Sequence, residues 1–309
     1  MATRPGSETE CAPAKINLHL HVLGRTASGL HRIDSALAFV DLCDVVRATP
    51  ARGLSLTVSG PLAGAVRSLG AANYVLRAAS ELRERAGITA GAALDLEKHI
   101  PPGAGLAGGT ADGAAALRAL GRLWGVSPRA AAMRAAASAL GADGPACLAS
   151  RPCWAGGIGA DLTPMPAPAG HVVIAWPAIE LATARVYAGW RGPSSRPAPR
   201  RGTSVQQHVA RTTNDLERPA GELAPVVRRV RQTLVAVPGA RAVRMTGSGT
   251  ALFALFDRRR DAEAAVQLLR RRRPRWWLCA ASFLPGARVA GPIRCGAGRS
   301  GSCRTRVRR

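Results

Sequence analysis

The sequence predicts an α+β fold of two domains, and three observations indicate it. Residues 14–23 alternate between apolar and polar side chains, which is the pattern of a β-strand with two different faces. Ala-rich segments with apolar residues at helical spacing follow further along the chain. The proline-rich segment 164–170 then interrupts the pattern, because proline lacks the N–H that a ladder or a helix interior needs. We expect a first domain at 1–165, a second at 166–290 and a basic, disordered tail at 291–309.

The other elements follow from the same periodicities. The first half is predicted to hold, in order, strands at 42–48 and 54–59, a helix at 73–86 that Gly87 ends, a strand at 94–100, and helices at 113–124 and 128–140. The second half is predicted to hold a strand at 172–176, a mobile loop at 192–203, a helix at 221–235, a glycine turn and strand at 243–256, a helix at 261–272 and a strand at 276–283. Both halves therefore mix strands with helices.

The charge of the chain is strongly positive and comes almost wholly from arginine. The formal net charge is +24, and Lys15 and Lys98 are the only lysines in the sequence. A basic chain attracts polyanions such as nucleotides or RNA. Because arginine, alanine, glycine and proline are abundant together, as GC-rich coding produces, this charge discriminates little between functions. A basic nucleic-acid-binding protein stays open as an alternative, on the evidence of Arg270–Arg273 and the arginine-rich tail.

Cysteine usage and hydropathy indicate the cellular compartment in which the protein is expected. The seven cysteines form no C-x-x-C pair and no zinc-ligand spacing, so we expect reduced thiols. The N-terminal region lacks a continuous apolar signal segment, and no apolar stretch in the sequence is long enough for a membrane helix. We expect a cytoplasmic protein without a membrane segment.

A glycine-rich loop precedes the helix predicted at 113–124, and its glycines are Gly103, Gly105, Gly108 and Gly109. Glycine lets the backbone adopt φ > 0 and lets another group approach closely. The unpaired N–H groups and the dipole at the start of a helix favour an anion. The loop therefore predicts a phosphate-binding site, with a tight turn before a buried helix as the plainer alternative. A dinucleotide site and a P-loop fit poorly, since neither the acidic ribose ligand nor a Gly-Lys-Ser/Thr follows.

Three motifs occur in the order found in the GHMP small-molecule kinases, and the chain resembles that superfamily. They are Ala12–Leu18, Pro101–Asp112 and Thr246–Thr250. The chain is most similar to the kinase family that phosphorylates a hydroxyl of 4-diphosphocytidyl-2-C-methyl-D-erythritol in the non-mevalonate isoprenoid pathway. That family shows Gly-aromatic-His, Gly-Ala-Asp and Asn-Asp-Leu-Glu motifs, which read here as Gly29–His31, Gly141–Asp143 and Asn214–Glu217. The resemblance covers roughly residues 11–285.

The resemblance implies a fold, cofactors and partners. An N-terminal domain with a mixed sheet would bind ATP, and a C-terminal α+β domain would complete the cleft. ATP and Mg²⁺ are the implied cofactors, and the implied partner is a small-molecule substrate with a cytidine diphosphate moiety. A monomer or a homodimer is expected, and nucleic acid is not expected as a partner.

The resemblance assigns the catalytic pair to Asp143 and Lys15. Phosphoryl transfer needs a carboxylate that accepts the proton of the attacking hydroxyl, and Asp143 matches that base. Lys15 would keep this carboxylate ionised, and Asn17 on the same strand face would hydrogen-bond the substrate. Taken without the family, Asp143 fits a turn or a helix N-cap, and Lys15 fits a solvated surface lysine.

The resemblance also assigns substrate-binding residues. His31 and Tyr187 match a histidine and an aromatic residue that hold the cytosine ring, whereas Leu30 stands where the family has a tyrosine. A base stacked on an aromatic ring gains about 1–3 kcal/mol, which leucine matches only in part. Gly247, Ser248 and Gly249 would lie beside the ATP loop and close the site. The plainer alternatives are a turn residue for His31, core packing for Tyr187 and a hairpin turn for the glycines.

The ATP-binding residues implied by the second motif are Pro101, Pro102, Gly103, Ala104, Gly105, Leu106, Ala107, Gly108, Gly109, Thr110 and Ala111. Ala107 replaces a glycine of the family and is expected to be tolerated if its φ is negative. Thr110 and Ala111 replace serines, and Thr110 keeps a hydroxyl that could reach Mg²⁺. Asn214 and Asp215 are expected to cap a helix.

Two further alternatives stay open within the superfamily. The first is a GHMP kinase that acts on mevalonate, homoserine or a sugar. The second is a catalytically weakened homologue, because Leu30, Ala107 and Ala111 depart from the family pattern.

Overall fold

The computed structural model describes residues 6–192, 194–200 and 204–285. The first half forms β1 Glu8–Arg25, β2 His31–Ala51, β3 Leu54–Ser59, α1 Tyr74–Arg85, β4 Gly91–Glu97, α2 Gly108–Leu123, α3 Ala131–Ala139, α4 Gly144–Ala149, β5 Cys153–Gly156 and β6 Asp161–Pro164. The second half forms β7 His171–Trp176, α5 Thr183–Ala188, α6 Val205–Arg211, α7 Glu217–Leu223, α8 Val226–Val235, β8 Val243–Met245, β9 Leu252–Phe256, α9 Arg259–Arg272 and β10 Trp277–Ser282.

The first sheet is mixed and has six strands. Its order is β3-β4-β2-β5-β6, and β1 pairs antiparallel with β2 along nearly its whole length. The β3–β4 pair is parallel, and the other pairs are antiparallel. Helix α2 packs against β1 and β2 and also against α1 and α4, so its first turn is fixed by the body of this half.

The second sheet is antiparallel, with the order β10-β7-β9-β8. Helices α8 and α9 pack against it. One apolar cluster joins the two sheets, because Ile16 and Ala38 from the first pack with Ile174 and Phe253 from the second. The strands of the two sheets fall on either side of residues 165 and 166, and the proposed domain boundary there stays a prediction. Among the described residues, no helix is both long and apolar enough to cross a membrane.

Strand β1 is buried on both faces. The alternation of its side chains is as predicted, but Lys15 and Asn17 on the polar face are each 3% exposed and His19 is fully buried. The polar face meets the second half of the chain, where Asn17 N–H donates to Thr246 Oγ1 at 3.0 Å. The polar residues of β1 are therefore held in hydrogen-bonded positions at the junction of the two halves.

One predicted helix is divided in two in the structure, and two predicted segments are described only in part or not at all. The helix predicted at 221–235 is two helices, α7 and α8, because Pro225 starts the second one and lacks the N–H that would continue the first. The predicted mobile loop is described at 192 and 194–200, where Ser195 N–H donates to Val22 O at 2.9 Å. The predicted tail at 291–309 lies outside the described residues.

A buried imidazole pair connects β1 with helix α6 and with segment 194–200. His19 Nδ1 and His208 Nε2 share a hydrogen bond of 2.9 Å, and His19 Nε2 donates to Asp34 Oδ2 at 3.1 Å. The same carboxylate oxygen accepts Ala198 N–H at 2.7 Å. Burial lowers the pKa values of both histidines, to about 4 for His208.

We expect the free energy of unfolding to fall as the pH drops from 6.5, the ordinary pKa of histidine, to about 4, the pKa of folded His208. In this window the unfolded chain binds more protons than the folded chain, so stability increases with pH and is lost on acidification. The pKa difference corresponds to on the order of 3 kcal/mol. Urea unfolding measured across this range checks it, with His208→Gln expected to show a shallower dependence. Equal pH dependence in both proteins would contradict the assignment.

Candidate active site

A cavity of about 530 Å³, called here the inner cavity, lies where β1, the glycine-rich loop and α4 meet. Its lining includes Lys15, Gly105, Gly109, Thr110, Asp143 and Ser248. Residues from all three sequence motifs therefore face one space, although they are far apart in the chain.

Lys15 and Asp143 form an ion pair at the wall of this cavity. Lys15 Nζ lies 3.0 Å from Asp143 Oδ2 and also donates to Asn17 Oδ1 at 2.9 Å. The lysine side chain is 3% exposed and the aspartate side chain is 38% exposed. Asp143 is the N-cap residue of α4, but its side chain makes no capping hydrogen bond. The prediction of a solvated surface lysine is therefore wrong, and the carboxylate faces the cavity instead of capping the helix.

Asn17 connects the first motif to the third. Its Oδ1 accepts Gly247 N–H at 3.0 Å, and its Nδ2 donates to Ser35 Oγ at 2.8 Å. The amide of Asn17 is thus already occupied by protein partners, which fix both Lys15 and the glycine turn. The expected substrate contact of Asn17 stays a prediction.

The third motif lies directly against the glycine-rich loop. A Cβ on Gly247 would come within 2.8 Å of Gly105 O, so the two backbones touch only because side chains are missing there. Ala251 N–H donates to Ala104 O at 3.0 Å. Ser248 Oγ shares a hydrogen bond of 2.9 Å with Thr183 Oγ1. The glycine turn therefore forms a second wall of the inner cavity.

Asn214 and Asp215 lie just before helix α7, and Asn214 supports the glycine turn. Asn214 Nδ2 donates to the carbonyls of Met245 and Gly247, each at 2.8 Å. Asp215 Oδ2 accepts Val22 N–H at 2.8 Å. Helix α7 begins at Glu217, and Asn214 Oδ1 accepts Leu216 N–H at 3.0 Å in the turn that leads into it. The expected capping therefore appears only as this Asn214 contact at the helix entrance, and it is wrong for Asp215.

Helix α2 begins at Gly108, five residues before the predicted start at 113. Its first turn, including Gly109 and Thr110, lines the inner cavity. The free N–H groups of that turn and the helix dipole therefore face a space in which an anion can bind. Glycines weaken a helix by local propensity, and packing of α2 against the sheet overrides that preference here.

A second cavity of about 720 Å³, called here the outer cavity, contains the residues predicted to bind the base. His31 and Tyr187 lie with ring centroids 4.8 Å apart and planes tilted by 37°. Burial lowers the pKa of His31, and its Nε2 is buried without a hydrogen-bond partner among the described residues. Leu30 also lines this cavity and is 54% exposed. A neutral imidazole with one unused nitrogen can therefore bind a polar ring edge.

The inner and outer cavities adjoin. Both are lined by Gly141, Ala142, Ile158 and Tyr187. Burial, followed by the charge of Asp143, raises the pKa of Tyr187 to about 12, so its phenol stays neutral near the Asp143 carboxylate. An elongated ligand can thus reach from His31 to Asp143.

Comparisons with known proteins agree with this geometry. The family models "GHMP kinases N terminal domain" and "GHMP kinases C terminal" match residues 73–151 and 203–274. The 4-diphosphocytidyl-2-C-methyl-D-erythritol kinase of Paramagnetospirillum magneticum is 40% identical over 279 residues, which cover 88% of this chain and 97% of that protein. The kinase of the same name from Rhodospirillum rubrum is 41% identical and covers 89% of this chain and 92% of its own length. The chain belongs to the GHMP kinase family.

Solved structures support the GHMP kinase fold. A crystal structure of 4-(cytidine 5'-diphospho)-2C-methyl-D-erythritol kinase matches with a TM-score of 0.75 and 35% identity, covering 90% of this chain and all of that one. Homoserine kinase from Cytophaga hutchinsonii matches with a TM-score of 0.66 at 19% identity, covering 93% of this chain and 97% of that one, which shows the shared fold alone. The predicted family and the two-domain α+β fold are confirmed.

One residue at which this GHMP kinase departs from the family pattern has a strained backbone conformation. Ala107 is the N-cap residue of α2 and has φ 54°, in the left-handed region. Ala107 was expected to be tolerated if its φ were negative, and that condition is not met. The methyl group is accommodated at a conformational cost of about 1–2 kcal/mol, since Cβ crowds the following carbonyl.

We expect Ala107→Gly to raise the free energy of unfolding by about 0.5–1 kcal/mol. Glycine relieves the left-handed strain, and the greater freedom of the unfolded chain offsets part of the gain. Urea unfolding of the variant measures the difference. Ala104→Gly is a matched control in the same loop, because Ala104 does not have a positive φ and should lose stability. A loss of stability in Ala107→Gly would contradict the claim that the left-handed φ of Ala107 is strained.

A buried charged cluster beside the glycine-rich loop was missed from the sequence. Lys98 Nζ donates to Asp44 Oδ2 and, at 2.8 Å, to Asp112 Oδ2. All three side chains are at most 3% exposed. Burial, followed by the charge of Asp44, raises the pKa of Asp112 well above its usual value. The only available signal was that Lys98, one of two lysines, alternates with Leu94, Leu96 and Ile100 in the strand predicted at 94–100.

Proposed function

We propose that this GHMP kinase transfers the γ-phosphate of ATP to a hydroxyl group of 4-diphosphocytidyl-2-C-methyl-D-erythritol. The observation that carries the proposal is the Lys15–Asp143 pair, at 3.0 Å, in the wall of a cavity formed by all three GHMP motifs. The relatives at about 40% identity bear the name of that kinase.

Asp143 acts as the general base in this proposal. Its carboxylate is exposed to the cavity and accepts the proton of the attacking hydroxyl as the phosphoryl group transfers. The buried ammonium of Lys15 lies 3.0 Å from this carboxylate, in direct charge contact with it. Asn17 holds the ammonium in place, since its Oδ1 accepts from Lys15 Nζ at 2.9 Å.

The phosphates of ATP bind at the start of α2. Residues 101–111 supply the loop, and the first turn of the helix presents N–H groups to the anion. The turn at Gly247–Gly249 closes the opposite side. These groups hold the γ-phosphate in line with the acceptor hydroxyl, and positioning of this kind supplies much of the rate in phosphoryl transfer.

Thr110 fits a role as a Mg²⁺ ligand. Its hydroxyl lies on the first turn of α2, lines the inner cavity and makes no side-chain hydrogen bond to another described residue. Hydroxyl and phosphate oxygens suit Mg²⁺, which keeps several waters and needs few protein ligands. When bound, Mg²⁺ neutralises charge on the phosphates of ATP. Asp112 is less suited, because it is already paired with Lys98 Nζ at 2.8 Å and burial raises its pKa.

The cytidine end of the acceptor occupies the outer cavity. Tyr187 gives one aromatic platform beside His31, and Leu30 gives an aliphatic contact on the exposed side. The erythritol end then reaches Asp143 through the wall shared by the two cavities.

A coupled assay of ADP release tests the proposal. The purified chain with Mg·ATP is given 4-diphosphocytidyl-2-C-methyl-D-erythritol, mevalonate, homoserine or galactose as the acceptor. We expect turnover with the first and none above background with the others. Turnover with one of the other acceptors alone, or with none, would refute the proposed substrate.

A further inference from the structure

Three cationic side chains line the two cavities: Lys15, Lys98 and Arg25. Lys15 is paired with Asp143, and Lys98 is paired with Asp44 and Asp112. Arg25 is different, because its exposed side chain makes no hydrogen bond or ion pair to another described residue. It is therefore the cation of this set that is uncommitted before a ligand binds.

Strand pairing places Arg25 beside the proposed base-binding residue. Arg25 is the last residue of β1, and its partner in the β1–β2 register is His31, the first residue of β2. Residues directly opposite in an antiparallel pair project from the same face of the sheet. The charge of Arg25 adds to burial in lowering the pKa of His31, as expected of close neighbours.

We infer that Arg25 binds the diphosphate group of the acceptor substrate, an inference that rests on the proposed function. Each phosphate of a diphosphate diester is ionised at neutral pH and is stabilised by a nearby cation or by N–H donors. A guanidinium donates two parallel hydrogen bonds to one phosphate and keeps its charge at any working pH. Arg25 lines the outer cavity, and Asp143 lines the inner cavity. Arg25 therefore lies on the cytidine side of the wall that the two cavities share.

Calorimetric titration with cytidine 5′-diphosphate and with cytidine tests the inference. Both probes contain the base, and only the first contains the diphosphate. We expect Arg25→Met to weaken cytidine 5′-diphosphate binding by about 10- to 100-fold, the loss typical of a charged hydrogen bond, while cytidine affinity is unchanged. Arg25→Lys should restore only part of the loss, because an ammonium lacks the paired geometry. In turnover, Arg25→Met should raise the KM for the acceptor and leave the KM for ATP unchanged.

Arg32→Met is the matched control. Arg32 is exposed, lies on the same hairpin and lines neither cavity, so its removal changes the net charge equally. Equal loss of cytidine 5′-diphosphate affinity in both variants, or an equal loss for cytidine in Arg25→Met, would overturn the inference and leave the proposed function standing. Failure of the wild-type chain to bind either probe would overturn the proposed function, and the inference with it.

Discussion

Replacing Asp143 by asparagine is expected to lower kcat by about 10²- to 10⁴-fold, the range found when a general base is removed. The amide keeps the shape of the side chain but accepts no proton from the attacking hydroxyl. The fold should remain intact, because Asp143 is 38% exposed and caps no helix through its side chain. Steady-state ADP release gives kcat, and thermal unfolding reports the fold.

Asp95→Asn is the control for this substitution. Asp95 is exposed on β4 and lines neither cavity, so the variant should keep the wild-type kcat. A wild-type kcat in Asp143→Asn would show that the carboxylate does not take the proton. The Lys15–Asp143 pair would then have a structural role only.

Replacing Lys98 by methionine is expected to cost about 3–5 kcal/mol of stability, because it leaves two buried carboxyl groups without their ammonium. Asp44 is fully buried, and Asp112 is 2% exposed. Although burial lowers the pKa of Lys98, the charges of Asp112 and Asp44 outweigh it and raise that pKa. Lys98 is therefore charged in the folded chain, and its removal leaves both carboxyl groups without a neighbouring positive charge.

The deficit of Lys98→Met should grow with pH. A carboxyl group whose folded pKa is raised above its unfolded value adds stability only at low pH, and that stability is lost as the pH rises. Urea unfolding at about pH 5 and about pH 8 measures the trend. Asp112→Asn is the control, expected to lose less than about 1 kcal/mol because the raised pKa of Asp112 favours the neutral acid, which a neutral amide replaces. An equal loss in both variants would show that Asp112 is ionised.

Elements with strong local signals could be predicted from the sequence. Strand β3 has the predicted bounds, 54–59, since its alternating side chains also alternate in burial. Helix α1 was predicted within one residue at each end. Its start is fixed by Asn73, whose side chain accepts Val75 N–H at 2.9 Å, and Gly87 follows its end.

Elements set by tertiary contacts could not be predicted in the same way. Strand β2 runs over His31–Ala51, far beyond the predicted 42–48, because both of its faces are buried and alternation disappears over much of its length. The short strands β5 and β6 were missed, since pairing with β2 and with each other defines them. Helix α2 starts early because packing overrides the low propensity of Gly108.

In the candidate site, too, residues with local sequence signals could be predicted and features set by tertiary contacts could not. The motifs identified Lys15 and Asp143 residue by residue, and the structure brings the two within 3.0 Å. The register that sets Arg25 opposite His31 depends on the β1–β2 hairpin, and no local pattern reports it. The left-handed φ of Ala107 was also hidden, because alanine gives no sequence signal for that conformation.

A ³¹P NMR spectrum of the wild-type chain with Mg·ATP and 4-diphosphocytidyl-2-C-methyl-D-erythritol tests most directly whether the Asp143 site phosphorylates an acceptor hydroxyl. We expect a new phosphomonoester signal that grows in step with ADP while the diphosphate signals of the acceptor persist. The same mixture with Asp143→Asn should show neither change on that timescale. ADP without a phosphomonoester, or an identical time course from Asp143→Asn, would contradict phosphoryl transfer at this site.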